Sequence, residues 1–294
     1  MHQYLRAIGF RNALTCERDI ELLLDNLYQT HEERVIAGSE EPGRAFWEMS
    51  KSFGPDIGIR MYGEMDGHGF HRTGYFPYLK ATGVTTREPL SVEPKGNGSG
   101  YNGLVDDRRV GVSLIFTLQN PGRYLKEKFN GRFKGGTEAI TLSALAQSGK
   151  ILLPLGRVPS KVGQRPVEDF YRKHDALVNA AREGNQEAIE SLTIEDMDTY
   201  AMISRRLASE DVYSIVETSF MPYGMECDQY QILGTILFYT KVRNFVTHES
   251  IYQMTISCNG MLFNVCINEE DLLGVPDEGR RFKGVVSLQG HVNF

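Results

Sequence analysis

The dipeptide Asn259-Gly260 is the local feature that most constrains how this chain of 294 residues folds. It lies between two β-prone runs, IYQMTISC and MLFNVCIN, and Asn-Gly favours the positive φ angles of a two-residue hairpin turn. Such a turn pairs residue 258 with residue 261 and therefore places Cys266 opposite Gln253. Cys258 and Cys266 are then too far apart for a disulfide, so we expect free thiols.

The rest of the C-terminal third is also rich in β-prone segments. Besides the two hairpin strands, we expect strands at 212–220, 230–242 and 282–288, and a short helix at 268–273. Five strands in so short a stretch favour a small β-barrel or a strongly curled sheet.

The first 80 residues predict the element order βαβββ. A strand is expected from Tyr4 to Phe10, followed by a helix. This helix has a single apolar stripe with helical spacing, formed by Ile20, Leu23, Leu24 and Leu27. Strands are then expected at 46–53, 57–65 and 70–78, the second of them with clear alternation of apolar and polar residues.

Residues 110–155 repeat this order in outline. A strand is expected from Val110 to Leu118 and a short helix from Pro121 to about Phe129, since proline suits the first turn of a helix. Extended segments at 139–146 and 150–155 follow, with a helix at 141–147 as the alternative. The stretch at 86–107 contains KGNGSGYNG and is predicted to be a loop.

These patterns predict an α+β protein with βαβββ-type modules in its N-terminal half, a helical connector and a small C-terminal β-barrel or curled sheet. The expected domains are residues 1–160, 161–208 and 209–294, because helical periodicity replaces the strand patterns between 166 and 208. The formal G-x-G-x-x-G match at 98–103 leads into a strand rather than a helix, so it does not indicate a dinucleotide site.

Charge and hydropathy limit the classes of partner. A net charge of −6 argues against nucleic acid, which needs a basic face. No apolar run reaches the roughly 18 residues of a membrane helix, and the first ten residues do not resemble a secretion signal. We therefore expect a cytoplasmic protein that binds neither membrane nor nucleic acid.

Asp66, His68 and His71 are a candidate metal site, because all three residue types ligate zinc and similar ions. Gly67 and Gly69 lie among them, however, and Asp with Gly is typical of turns for conformational reasons. We interpret the segment as a hairpin turn without a metal and keep the metal site as the alternative. No cofactor is expected.

Alternation along the strand at 57–65 suggests a ligand surface. Its apolar face is expected to pack on the helix that follows the first strand, which leaves Arg60, Tyr62 and Glu64 on the opposite face. A guanidinium, an aromatic ring and a carboxylate side by side are the sparse polar set of a ligand pocket, so these three are the predicted binding residues. No catalytic residue is predicted.

Two resemblances to known families bear on this interpretation. From MHQYLRAIGF through SFMPYGMECDQY and CNGMLFNVCINEEDLLG to GRRFKGVVSLQGHVNF, the chain resembles a bacterial family classed as a domain of unknown function. Its βαβββ order is similar in topology to the vicinal-oxygen-chelate superfamily of glyoxalases and bleomycin-resistance proteins. That similarity implies a curved sheet that holds a ligand or metal, but the chain offers no carboxylate at the expected position in GYFPY.

The function that these observations favour is non-catalytic binding of a small ligand or a protein partner. The alternative is a metal-dependent enzyme of the vicinal-oxygen-chelate type. The sequence leaves open whether the protein is an enzyme.

Overall fold

The computed structural model describes residues 2–39, 42–96, 100–133, 138–154, 180, 185–187, 190–191 and 216–294. The chain divides into two compact units, one made of Met1–Pro154 with Thr218–Phe294 and the other of Leu155–Glu217. Most of the predicted connector at 161–208 lies outside the described residues. The expected domain boundaries stay a prediction.

The first unit contains short helices and two sheets. In chain order its elements are a 3-10 helix (His2–Ile8), α1 (Glu17–Thr30), β1 (Glu33–Gly38), β2 (Ala45–Gly54), β3 (Ile57–Asp66), β4 (Gly69–Leu79), β5 (Leu90–Pro94), β6 (Tyr101–Asp106), β7 (Ser113–Leu118), α2 (Pro121–Phe129), β8 (Ala139–Leu152), β9 (Ser219–Pro222), β10 (Gln229–Arg243), β11 (Ser250–Cys258), β12 (Met261–Asn268), a 3-10 turn (Glu269–Asp271), β13 (Leu272–Leu273) and β14 (Arg281–Asn293).

The smaller sheet is an antiparallel meander in the order β1-β2-β3-β4. As predicted, the apolar face of β3 and the apolar stripe of α1 belong to one buried cluster. Its members from these two elements are Ile57, Ile59, Met61, Ile20, Leu24 and Leu27. The 3-10 helix and β2 contribute to the same cluster, so the sheet face and the helix stripe are buried together with them.

The predicted first strand is wrong, since residues 2–8 form a 3-10 helix. Within it Leu5 and Ile8, three residues apart, are at most 1% exposed. This spacing of about three suits a 3-10 helix rather than the period of two of a strand. The strand β1 was not predicted, and it occupies the position beside β2.

The larger sheet closes on itself as a five-stranded barrel. Its strands pair in the ring β8-β12-β11-β10-β14, and β14 returns to β8. Alternate residues of β12, among them Phe263 and Val265, fill the interior and are at most 2% exposed. The α+β class and the small β-barrel are therefore confirmed, although one barrel strand, β8, comes from the N-terminal half.

The strand β8 is a single element of 14 residues, so the predicted break at Ser148-Gly149 and the alternative helix at 141–147 are both wrong. It pairs parallel with β12 and antiparallel with β14. The pairing with β14 shifts by one residue at Gln147, and such a bulge bends a strand, as a closed barrel requires.

Three further strands extend the barrel sheet beyond β14. The strand β7 pairs parallel with β14 at Thr117 and Gln289, and β6 and β5 follow it. The strands β5 and β6 correct the prediction of a loop throughout 86–107. The glycines in this stretch mark only the turn between the two strands, part of which lies outside the described residues.

The predicted C-terminal hairpin is confirmed in detail. Asn259 and Gly260 have φ angles of 49° and 73°. Cys258 pairs with Met261, and Cys266 lies opposite Gln253. All four cysteines belong to the described residues and are free thiols there.

Candidate functional site

A cavity of about 450 Å³ lies along the edge strand β4 of the smaller sheet, where it faces the larger sheet. Tyr75 and Phe76 both line it, although consecutive strand residues point to opposite faces. The cavity therefore follows the free edge of β4 rather than one face of the sheet. Pro77 also lines it, and proline is tolerated on an edge because its missing N–H leaves no gap in a ladder.

Two glutamine side chains donate hydrogen bonds to backbone carbonyls at the edge of β4, beside the cavity. Gln289 on β14 donates from Nε2 to the Pro77 carbonyl at 2.7 Å, and Gln119 donates from Nε2 to the Leu79 carbonyl at 2.9 Å. Gln119 also donates to Gln289 Oε1 at 2.9 Å. The amides thus join the two sheets, and Gln289 also lines the cavity.

Four aromatic rings form the apolar wall. Tyr4 comes from the 3-10 helix, Tyr62 from β3, and Tyr75 and Phe76 from β4. Each is at most 8% exposed. The rings of Tyr62 and Phe76 lie 6.0 Å apart and are tilted by 47°. The rings are held by their packing in the protein and give this side of the cavity an apolar surface.

The position of Tyr62 depends on two glycines that have no side chain to obstruct it. A Cβ atom on Gly74 would lie 2.5 Å from the Tyr62 hydroxyl oxygen, and one on Gly100 would lie 2.8 Å from it. Both distances are shorter than any normal contact. The sequence therefore fixes the orientation of Tyr62 through glycines on β4 and before β6.

A chain of polar groups forms the opposite side. The ammonium of Lys95 donates to the Thr117 hydroxyl at 2.7 Å and lies 3.9 Å from Asp228 Oδ2. The hydroxyls of Thr117 and Ser287 donate to the same carboxylate oxygen at 2.8 and 3.2 Å. Asp228 is therefore held by two hydroxyls and partly balanced by one ammonium.

Two polar atoms in the cavity wall have no hydrogen-bond partner among the described residues. They are the hydroxyl oxygen of Tyr4, a residue that is 6% exposed, and Oδ1 of Asn102. Burial raises the pKa of Tyr4, the nearby carboxylates of Asp228 and Glu226 raise it further, and the amides of Gln147 and Gln229 close to the hydroxyl oppose the change. Tyr4 is therefore a neutral phenol at physiological pH, able to donate one hydrogen bond and to accept another.

Of the three predicted binding residues, the structure places one in the cavity. Tyr62 is part of its wall. Arg60 instead donates to Glu48 Oε1 at 2.9 Å, and its guanidinium lies 5.1 Å from the centre of the Tyr78 ring. Glu64 pairs with Arg44 at 3.0 Å near the surface. The three share one face of β3, but Arg60 and Glu64 do not line this cavity.

Asp66, His68 and His71 lie at the hairpin between β3 and β4, where a turn was predicted. Asp66 Oδ1 accepts hydrogen bonds from the backbone amides of His68 and Gly69 at 2.7 and 3.2 Å, and lies 3.1 Å from His71 Nε2. Asp66 thus satisfies the turn as a local cap. Among the described residues no cluster of three or more His, Cys, Asp or Glu side chains is arranged to hold a metal.

Sequence reasoning missed Tyr4, Lys95 and Asp228. Tyr4 was assigned to a strand, and Lys95 and Asp228 belong to segments that pair only through the larger sheet. One signal of the site was present in the local sequence, namely the run Glu226-Cys227-Asp228. All three of these residues line the cavity. In it Cys227 is exposed and accepts from Asn102 Nδ2 at 3.6 Å.

Comparison with models of protein families gives a match over nearly the full chain. A family model described as "Domain of unknown function, E. rectale Gene description (DUF3881)" matches residues 5–290, which confirms the full-length resemblance seen in the sequence. Neither the curated proteins nor the solved structures include a match to the chain. No helix among the described residues is long and apolar enough to cross a membrane.

Proposed function

The chain belongs to the DUF3881 family, and we propose that it binds a small molecule in the cavity beside β4 without catalysing a reaction on it. The volume of about 450 Å³ is in the range of pockets for small ligands. Its lining of aromatic rings with a few fixed polar groups is also typical of such pockets. The net charge of −6 favours a small molecule over nucleic acid.

The hydroxyl of Tyr4 is the observation that carries this proposal: the amides of Gln147 and Gln229 lie near it, but it makes no well-formed hydrogen bond to any described residue. A buried polar group without a partner destabilises a protein by about 1–3 kcal/mol. Among the described residues, both Tyr4 Oη and Asn102 Oδ1 are buried without a hydrogen-bond partner at the same cavity. A ligand that bonds to both would recover the lost hydrogen bonds, while the rings would contact its body.

Tyr62 is the predicted residue that we retain as a direct contact, because it is already in the cavity wall. Arg60 would act only through the packing of β3, and Glu64 has no place in the proposed site. The alternative of a metal-dependent enzyme has no observation that favours it at this cavity.

A metabolite library screened by native mass spectrometry and by thermal shift tests the proposal. We expect at least one compound to bind with one-to-one stoichiometry. The change Tyr4→Phe should weaken it by about three- to tenfold, the equivalent of one neutral hydrogen bond. The control Tyr28→Phe removes a hydroxyl from a ring that stacks on Phe70 outside the cavity. Hits that respond equally to both changes would contradict the assignment to this cavity.

A further inference from the structure

The ionisable side chains of the cavity are unevenly matched. Among the described lining residues Lys95 is the one ammonium, and it lies 3.9 Å from Asp228, which also accepts from two hydroxyls. Glu226 is a second carboxylate in the same lining; it is exposed, and among the described residues its one hydrogen bond comes from the neutral amide of Gln229, Nε2 at 2.9 Å. The lining therefore keeps one negative charge that no cation of its described residues balances.

The hydrogen-bonding groups of the lining also favour a ligand that carries hydrogen-bond donors. Asn102 already uses its Nδ2 as a donor to Cys227, so its unpaired Oδ1 can only accept. Gln289, by contrast, is fully engaged, with its Nε2 on the Pro77 carbonyl and its Oε1 on Gln119. The unpartnered Asn102 Oδ1 and the carboxylate of Glu226 are both acceptors, so they favour a ligand that donates.

The aromatic wall favours a positive charge as well. The faces of aromatic rings attract cations through their quadrupole, and the attraction grows when the site is shielded from water. Tyr4, Tyr62, Tyr75 and Phe76 are all at most 8% exposed. The carboxylates of Glu226 and Asp228 are near enough to Tyr4 to raise the pKa of its hydroxyl, so rings and negative charge occupy the same region.

We infer that the cavity takes a compact aromatic molecule that carries a protonated amine. This inference rests on the proposed function and specifies the ligand class for the same site. The ring of the ligand packs among the four aromatic side chains. Its ammonium donates to Glu226 and to Asn102 Oδ1, and the Tyr4 hydroxyl bonds to a polar group on the ligand body. Lys95 stays with Thr117 and Asp228 and does not contact the ligand.

Three probes with the same ring and different charge test the inference by isothermal titration calorimetry. They are tyramine, which is cationic, para-ethylphenol, which is neutral, and phloretate, which is anionic. We expect tyramine to bind at least about tenfold more tightly than phloretate, with para-ethylphenol between them.

Two substitutions in the cavity predict changes of opposite sign. Glu226→Gln should weaken the binding of tyramine by at least about fivefold, because the unbalanced carboxylate is lost. Lys95→Met should strengthen the binding of tyramine, because it removes a positive charge that repels the ammonium of the ligand. As a matched control, Glu278→Gln neutralises an exposed glutamate that does not line the cavity and should change neither affinity.

The outcomes separate this inference from the proposed function. If phloretate binds more tightly than tyramine and Lys95→Met abolishes its binding, the ligand class is an anion and the inference is overturned, while binding at the cavity stands. If none of the three probes binds but the library gives ligands that depend on Tyr4, the inference again fails alone. If neither probes nor library compounds bind, both fail.

Discussion

The carboxylate of Glu48 on β2 accepts a hydrogen bond at 2.6 Å from the backbone amide of Gly122, the second residue of α2. Amides in the first turn of a helix have no partner within the helix, so Glu48 acts as a cap supplied by another element. Its second oxygen accepts from Arg60 at 2.9 Å, and Glu48 is only 4% exposed. Burial raises the pKa of Glu48, although the Arg60 guanidinium opposes this change.

Replacing this carboxylate should therefore destabilise the fold strongly. In Glu48→Gln the guanidinium of Arg60, whose side chain is 13% exposed, loses its counter-charge, and a broken buried ion pair costs about 3–5 kcal/mol. We expect a decrease in the free energy of unfolding of about 3 kcal/mol, measured by urea denaturation.

Glu64→Gln is the matched control for this change. Glu64 lies on β3 in the same sheet, and its ion pair with Arg44 at 3.0 Å is exposed by more than 40% on both sides. Exposed pairs contribute about 0–1 kcal/mol. Equal losses in the two variants would show that the Glu48–Arg60 pair contributes nothing beyond a surface pair.

The parts of the fold that the sequence predicted correctly are those fixed by local pattern. The apolar stripe of α1 and the alternation of apolar and polar residues in β3 determine which face of each element is buried. Pro121 marks the start of α2, and Asn259-Gly260 fixes the register of β11 and β12. In each case the signal lies within about ten residues of the element that it determines.

The parts that were missed depend on pairing between distant segments. The strand β8 owes its length to β12 and β14, which lie more than 100 residues later in the chain. The cavity has the same origin, since Lys95, Thr117 and Asp228 meet only when β7 pairs with β14. Arg60 was predicted to face a ligand because nothing in the local sequence shows that Glu48 lies beside it.

His291 on β14 should make the stability depend on pH. Burial lowers the pKa of its imidazole to about 4, with the positive charges of Arg60, Arg123 and Lys80 as further causes. In the unfolded chain the pKa is about 6.5, so as pH falls the unfolded state takes up this proton first. Stability from this group is thus complete above about pH 6.5 and is lost as pH falls through that value towards 4.

The measurement compares urea unfolding of the wild type and His291→Gln at pH 7 and pH 4.5. Between pH 7 and pH 4.5 the free energy of unfolding of the wild type should decrease by about 2–3 kcal/mol more than that of His291→Gln. His68→Gln serves as the control, because His68 lies exposed in a turn. An identical pH dependence in wild type and His291→Gln would contradict the prediction.

Gly260→Ala should destabilise the C-terminal hairpin through backbone strain alone. Gly260 has a φ of 73°, which disfavours a side chain, while the nearest atom to an added Cβ is Arg109 Cδ at 3.7 Å. We expect a loss of about 1–2 kcal/mol in the free energy of unfolding. Gly67→Ala, at a hairpin glycine with free space around it, should have little effect; a loss as large as that of Gly260→Ala would exclude strain as the reason.

Gly74→Ala should disturb Tyr62 and thereby the cavity. The added methyl group would lie 2.5 Å from the Tyr62 hydroxyl oxygen, and overpacking of a buried site costs about 1–3 kcal/mol. Tyr62→Phe removes that oxygen and should partly rescue the stability of Gly74→Ala, because the next atom, Cζ, is 2.8 Å away. A double-mutant cycle by thermal denaturation measures the coupling, and purely additive losses would show that the two residues do not interfere.

Asp66, rather than either histidine, should be the residue that the β3–β4 turn needs. Its carboxylate accepts from the amides of His68 and Gly69, and these bonds lower the pKa of Asp66. Asp66→Ala should therefore lower the melting temperature. His68→Ala combined with His71→Ala should leave it nearly unchanged, because the two imidazoles hold no part of the backbone turn. Metal analysis of the purified protein completes the test: one equivalent of a transition metal, lost in the double histidine variant, would replace the turn interpretation with the metal site.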